Sequence, residues 1–564
     1  MRLPADKQLA VDTIRAAAEA GITVFDTAHA YGTQPGENER LVAGALRIVG
    51  RGRGRIVTKG GMTRMGGAWI PDGRAKAIAA DCEASLTALD GLPIDLYLIH
   101  APDPRTPWRT SVRALARLVE QELVRRVGLA NVTRAQLDEA LELAPISAIQ
   151  VGLSLLDDRA LRGGVVERCT ERGLTLIAHS PLGGPRRAGA LSRRPELGRI
   201  AARHGATAAE VALGWVLGVS PHAVAIPGAR TATSATSAAR AATLELSRDD
   251  RAALAATFGH LPQRAPAAAR RPLRGDARGE VVIVMGIPGA GKTRLAARYL
   301  EGGYLRLNRD ERGGGLRGLA RELDEQLAGG VRSAVLDNTY LTRASRSDVL
   351  ATAARHALPV RCVWLDTPLA QAQVNLVERL LERFGTLPTP EHIRAAARRE
   401  PWLMLPTSQM RALRELEPPS MDEGFAAVET VSFARVAPRG APPGVFIGAA
   451  ATGRSGILRA AADADPAAPH LLFDWIPGGD AGPLRAARAR VEASVTGLVE
   501  VAVCPHPGGP PSCWCRPPLP GLPLAFARAH SVDPLRSILI GGSPAHRTLA
   551  TTLGARYIHV ADVR

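Results

Sequence analysis

Apolar residues along this chain gather in short runs separated by stretches with helical spacing. Residues 10–20 carry the helical period, and Thr23-Val24-Phe25-Asp26 then reads as a strand. Arg55-Ile56-Val57-Thr58-Lys59 and Ile94-Asp95-Leu96-Tyr97-Leu98-Ile99-His100 are two more. Further strands are predicted at 126–129, 148–151, 175–178 and 223–226, each separated from the next by a helical pattern. Seven such units within residues 1–258 predict a parallel barrel of the (β/α)8 type.

The pattern breaks at residues 259–279, where Pro, Ala and Arg dominate with no sustained apolar period, as in an exposed linker. It resumes with Val281-Val282-Ile283-Val284-Met285, a fully apolar and mostly β-branched run expected of a buried parallel strand. Strands at 304–307, 333–339 and 360–365 follow, so residues 280–436 read as an α/β sandwich. Val445-Phe446-Ile447 and Leu471-Leu472-Phe473 open a third, small α/β module over residues 437–564. The fold class is therefore α/β and multidomain. A length of 564 residues and 46% hydrophobic content suit roughly three or four domains with ample cores.

The net charge of +17 suggests nucleic acid at first sight. Only Lys7, Lys59, Lys76 and Lys292 of the 71 basic residues are lysine, however, and the arginines are spread along the whole chain. With abundant Ala, Gly and Pro this points to a coding bias and a solvated surface rather than a binding face. Lysine at 59 and 292 then becomes informative, since a compact titratable ammonium differs chemically from a guanidinium. Cys82, Cys169 and Cys362 lie in apolar settings expected to bury them, whereas Cys504, Cys513 and Cys515 cluster. No secretory signal is evident and no apolar run approaches the ~20 residues of a membrane helix, so a cytoplasmic protein with no membrane partner is expected.

In the first domain the polar residues fall at the C-terminal ends of strands, where a barrel places its chemistry: Asp26, Tyr31 just beyond it, Lys59 and His100. A carbonyl receiving hydride becomes an alkoxide and needs a proton donor. Tyr31 can serve if the Lys59 ammonium lowers its pKa from about 10, with Asp26 holding Lys59 and His100 orienting the substrate oxygen. The stretch Gly21-Ile22-Thr23-Val24-Phe25-Asp26-Thr27-Ala28-His29-Ala30-Tyr31-Gly32, with the later Lys and His, resembles the aldo-keto reductases over residues 5–255.

That resemblance implies a small-molecule carbonyl substrate and NADPH. Asn131 and Gln150 would hold the carboxamide, though Ala130 replaces the usual Ser. His179 would take the place of the stacking ring, flanked by Ser180 and Leu182. Gly228 and Arg230 would clamp the adenosine phosphate. It also implies a first barrel strand ahead of Met1-Arg2-Leu3-Pro4. Either the true start lies upstream, or the barrel has seven strands and a gap that leaves two unpaired strand edges.

In the second domain, Gly286-Ile287-Pro288-Gly289-Ala290-Gly291-Lys292-Thr293 has the spacing G-x-x-x-x-G-K-T. Backbone N–H groups of such a loop wrap a polyphosphate, here ATP, with Lys292 reaching the β/γ-phosphates and Thr293 ligating Mg²⁺. Asp310 is the candidate base for an acceptor hydroxyl, and Asp337 would act through Mg²⁺-bound water or pin the acceptor. Arg379 and Arg383, four apart on a helix, would form a closing lid. Together with Asn308-Arg309-Asp310, Asp337-Asn338-Thr339 and Arg346, these residues resemble polynucleotide 5′-hydroxyl kinases, which implies a nucleic-acid 5′ end as acceptor. Small-molecule kinases share the same parts. An alternative reading therefore makes the kinase act on a small metabolite and the barrel a cofactor-binding or scaffolding domain.

In the third module, Cys504-Pro505-His506 and Cys513-Trp514-Cys515 give two short-spaced pairs on a Pro/Gly-rich loop, suited to a closed tetrahedral Zn²⁺ site. The loop resembles the zinc loop of heptose-bisphosphate and histidinol phosphatases of the haloacid dehalogenase class. The class's aspartates are absent from Gly448-Ala449-Ala450-Ala451-Thr452 and its acid from Ile540-Gly541-Gly542-Ser543, and Arg516-Pro517-Pro518 replaces its Lys. Asp474 is the one rival nucleophile. A module that keeps its zinc staple and lacks its chemistry is expected. A kinase followed by such a module is also the order of bifunctional end-healing polynucleotide kinase–phosphatases.

Overall fold

The first alternation of runs becomes a parallel sheet. Its strands are β1 (Val24–Asp26), β2 (Arg55–Gly60), β5 (Ile94–Ile99), β6 (Val127–Ala130), β7 (Ile146–Gly152), β8 (Thr175–His179) and β9 (Ala223–Ile226), neighbours in that order. A hairpin of β3 (Met62–Met65) and β4 (Ala68–Pro71), absent from the sequence expectation, follows β2. The computed structural model describes residues 7–50, 54–65, 67–185, 187–259, 279–432, 440–448 and 465–562. Met1–Pro4, most of the expected linker, and Ala449–Thr452 lie outside them. The chain divides into two units, Met1–Ala265 and Pro266–Arg564.

Strand alternation decides what the barrel interior contains. Val57, Leu96, Leu98, Ala130, Ala148 and Ile177 meet in a small inner cluster, while Ile56, Tyr97, Ile99 and Ile149 pack outward against the helices. Because successive side chains alternate, the residues two beyond Val57 and Leu98 are Lys59 and His100, which share the inward parity at the strand ends. β5 is buried on both faces, which explains the apolar run over residues 96–99.

Among the described residues no ladder joins β1 to β9, so each is paired on one side only. A cavity of about 290 Å³ lies there, lined by Ile14, Val24, Leu213, Ile226 and Ala235 among others. The expected gap is thus present in the sheet.

The second unit holds two further parallel sheets. One has the order β11 (Leu305–Leu307), β12 (Ala334–Asp337), β10 (Val281–Met285), β13 (Val360–Asp366), β14 (Ala427–Ser432). The other runs β17 (Val499–Cys504), β16 (His470–Trp475), β15 (Val445–Gly448), β18 (Ile538–Gly541), β19 (Arg556–His559). β14 escaped the sequence reading because its exposed face leaves it without an apolar run.

The expected boundary after residue 436 separates these sheets but not their cores. Val374, Leu380 and Leu381 of helix Leu369–Phe384 share one apolar cluster with Phe446, Phe473, Trp514 and Phe526. Among the described residues no helix is long and apolar enough to cross a membrane.

Arg346 is fully buried, with Nε 2.8 Å and Nη2 2.5 Å from the Glu423 carboxylate; Nη1 donates to the carbonyls of Tyr340 and Glu417. It therefore joins two segments of the phosphate-loop domain. Arg346→Ala removes the cationic partner of the buried Glu423 carboxylate and is expected to cost about 3–5 kcal/mol. Urea denaturation of the second unit's transition measures this, and a loss under about 1 kcal/mol would contradict the assignment.

Candidate active sites and metal centre

At the C-terminal ends of β1, β2 and β5 four expected residues converge. Lys59 Nζ lies 2.6 Å from Asp26 Oδ1 and 2.9 Å from the Thr27 carbonyl oxygen, fully buried. The same ammonium stands 5.2 Å from the Tyr31 ring centroid, and Tyr31 meets His100 edge to face at 5.6 Å. Trp69, on the hairpin the sequence reading missed, packs against both rings, 6.0 Å from Tyr31 and 5.7 Å from His100. A lone tryptophan beside four hairpin residues gave no periodic signal, so only the spatial meeting reveals it.

Burial governs the titration of this cluster. The Tyr31 phenol is raised above its ordinary value because desolvation outweighs the lowering by Lys59. This corrects the expected net decrease: the ammonium is there, but the low-dielectric setting penalises tyrosinate more. His100 is pushed down to about 3, first by burial and then by Lys59, and His179 is lowered by the same causes.

The residues expected to hold a cofactor lie around this centre. Asn131, in left-handed conformation (φ 58°), donates from Nδ2 to the His100 carbonyl at 3.0 Å and lies 2.9 Å from His179 Nε2. Gln150 donates to Asp26 Oδ2 at 2.7 Å, a link the sequence did not predict. Ser180 is also left-handed (φ 51°), with Oγ 3.3 Å from His179 Nδ1, and Leu182 packs on the core. Gly228 and Arg230 are exposed beyond β9, where the Arg230 N–H donates to Ser234 at the start of helix Ala232–Arg240.

The phosphate loop joins β10 to helix Lys292–Glu301. Its carbonyls are turned outward onto side chains: Gly286 and Ile287 accept from Lys292 Nζ, Pro288 from Gln409, Gly289 from Asn375 and Ala290 from Thr367. Gly289 has φ 85° and a Cβ there would run into the Ala372 carbonyl, so the close approach requires glycine. Lys292 is lowered to about 8 by burial, against the opposing charges of Asp337 and Asp310. Thr293 and Asp310 are exposed nearby.

Asp337 is buried and held by Arg306, at 2.9 Å to Nε and 2.7 Å to Nη2. The arginine pair divides. The Arg379 guanidinium stacks 3.9 Å above Trp402 and feels the charge of Asp310, whereas Arg383 pairs with Glu400 at 3.0 Å. Asn375, Gln409 and Trp402 had no motif to mark them.

In the third module, Cys504 Sγ is 3.6 Å from Cys513 Sγ and 3.5 Å from His506 Nδ1, which is 3.3 Å from Cys515 Sγ. All four ligand atoms lie within 4.8 Å of one another. Zn–S bonds of ~2.3 Å in a tetrahedron put sulfurs ~3.8 Å apart, so the donor set fits a thiophilic ion. At the strand ends beside it, His546 is buried 3.6 Å from Asp474 Oδ1, and a Cβ on Gly541 would meet its ring.

Residues 2–257 match the model of the Aldo/keto reductase family, and residues 281–401 match a model described as an AAA domain. A probable aldo-keto reductase 1 from Glycine max is 32% identical over 255 residues, 40% of this chain and 72% of that protein. The uncharacterized oxidoreductase C215.11c of Schizosaccharomyces pombe is 30% identical over 249 residues, 44% of this chain and 78% of its own. Among solved structures, an aldo-keto reductase from Klebsiella pneumoniae in complex with NADPH is 28% identical, covers 46% of this chain and 87% of its own, and has a TM-score of 0.39. The chain belongs to the aldo/keto reductase family through its first unit, and its second unit carries a P-loop-type nucleotide-binding domain.

The site's titration is testable without substrate. His100 is expected to stay neutral in an NMR titration from about pH 8 down to 5, and the Tyr31 phenol to stay protonated by ultraviolet absorbance up to about pH 10. A His100 midpoint near the ordinary value of about 6.5 would mean that water reaches the ring.

Proposed function

We propose that the first unit reduces a small-molecule carbonyl with NADPH. The observation that carries this reading is the buried Asp26–Lys59 pair set against Tyr31 and His100. NADPH, when bound, supplies the hydride. Tyr31, kept protonated by burial, donates its proton to the oxygen as hydride reaches the carbon. Neutral His100 hydrogen-bonds the same oxygen and orients it. Lys59 steadies the tyrosinate that remains, and Asp26 holds Lys59. Asn131, Gln150 and His179 would hold the nicotinamide end, with Ser180 and Leu182 beside them, and Gly228 and Arg230 the phosphate end.

The edges of β1 and β9, unpaired among the described residues, favour a second reading, in which the barrel binds cofactor without turning it over. Tyr31→Phe separates the two. NADPH consumption across a carbonyl panel is expected to fall at least about 100-fold in the variant while NADPH binding persists. Binding without turnover in the unaltered chain would establish the scaffold reading instead.

For the second unit we propose an ATP-dependent kinase. The outward carbonyls of residues 286–290 support the binding of a polyphosphate by the loop's N–H groups, with Lys292 on the β/γ-phosphates and Thr293 on Mg²⁺. Exposed Asp310 takes the proton of the acceptor hydroxyl. Asp337, clamped by Arg306, fixes the floor of the site. Arg379 offers a cation toward Asp310 and Lys292. Arg383 supports the lid through Glu400.

A polynucleotide 5′-hydroxyl is the proposed acceptor, and the C-terminal module, from residue 437 on, is a phosphatase-like fold without a nucleophile that binds Zn²⁺ through Cys504, His506, Cys513 and Cys515. Labelled ATP offered with 5′-hydroxyl oligonucleotides is expected to label their ends, and Asp310→Asn to abolish it. Transfer only to sugars or other small metabolites would replace the nucleic-acid acceptor.

A further inference from the structure

The loop carrying the four candidate metal ligands is also attached to the kinase site. Trp514, between Cys513 and Cys515, is 2% exposed, and its Nε1 donates to the Met404 carbonyl at 2.9 Å. Two residues after Met404 begins helix Pro406–Glu415, whose fully buried Gln409 donates to the Pro288 carbonyl of the phosphate loop at 2.9 Å. Two residues before Met404 is Trp402, which carries the Arg379 guanidinium on its face. One short segment, 402–409, thus touches the metal loop, the phosphate loop and Arg379, whose charge Lys292 feels.

Residues 505–512 form neither helix nor strand and are mostly exposed prolines and glycines. Packing alone gives such a loop little order, so an ion joining its two ends would supply most of it. With the loop ordered, Trp514 is fixed in the shared apolar core against helix Leu369–Phe384, whose Asn375 grips Gly289.

We propose that metal binding at Cys504, His506, Cys513 and Cys515 seats segment 402–409 and through it the phosphate loop, so that metal and nucleotide strengthen each other's binding. The proposal rests on the nucleotide and zinc readings above and gives the C-terminal module a role without catalysis. Trp514 and Gln409 are positioning residues: neither needs to touch nucleotide or metal. Linkage requires the same factor in both directions.

The test uses the full chain and two titrations. Affinity for Mg-ATP is measured with the chain zinc-loaded and after removal of zinc by a chelator. Affinity for zinc is measured by competition with a chromogenic chelator, with and without saturating Mg-ATP. Each ligand is expected to tighten the other about tenfold, which is about 1.4 kcal/mol. Trp514→Phe and Gln409→Met cut the chain of contacts at opposite ends, and each is expected to retain one zinc and to bring the factor close to one. Equal affinities in all four states of the unaltered chain, with both ligands bound, overturn the proposal alone. A chain that binds no zinc, or no ATP, overturns the corresponding reading and the coupling with it.

Discussion

An ammonium buried inside a barrel is tolerable only if its charge is answered locally, and the first unit is organised around that requirement. Removing such an ion from water costs several kcal/mol even after relaxation. Lys59 meets the cost with one carboxylate oxygen of Asp26 and the Thr27 carbonyl, while the other oxygen of Asp26 accepts from Gln150. Three strands, β1, β2 and β7, are thereby fixed relative to one another at their C-terminal ends. The Tyr31 phenol stands over the ammonium, and the His100 imidazole and Trp69 indole pack against the phenol.

The second unit follows a different rule. Two carbonyls of its phosphate loop accept from the loop's own Lys292 and three from side chains of separate segments, so its geometry depends on helices Leu369–Phe384 and Pro406–Glu415 as well as on the loop's own residues. Helix Leu369–Phe384 shares its apolar cluster in turn with Phe446, Phe473, Trp514 and Phe526 of the C-terminal module.

What the sequence disclosed follows from locality. Strands with continuous burial, such as β5 and β10, declare themselves in their runs, and the tetrad is legible because alternation places Lys59 and His100 inward at strand ends. The glycines and Lys292 of the phosphate loop are contiguous in sequence. Trp69, Gln409 and Trp402 are single residues on elements without a periodic signature, and their meaning lies in contacts with residues far along the chain. Arg346, read alongside a kinase motif, belongs to a buried ion pair 77 positions distant, which no spacing rule reveals. The balance between burial and Lys59 at Tyr31 likewise requires the interior to be known before its sign can be stated.

The one-sided pairing of β1 and β9 has a kinetic side. A strand bonded to one neighbour opens at lower free energy than one bonded to two, and backbone amides exchange accordingly. β9 leads directly into Gly228 and Arg230, whereas Lys59 and His100 stand on β2 and β5, each flanked by two strands. The two ends of a long dinucleotide would thus be gripped by parts of one sheet with unequal lifetimes. In the proposed NADPH reading, the phosphate end would come free through brief fraying of the edge while the reacting end stays assembled.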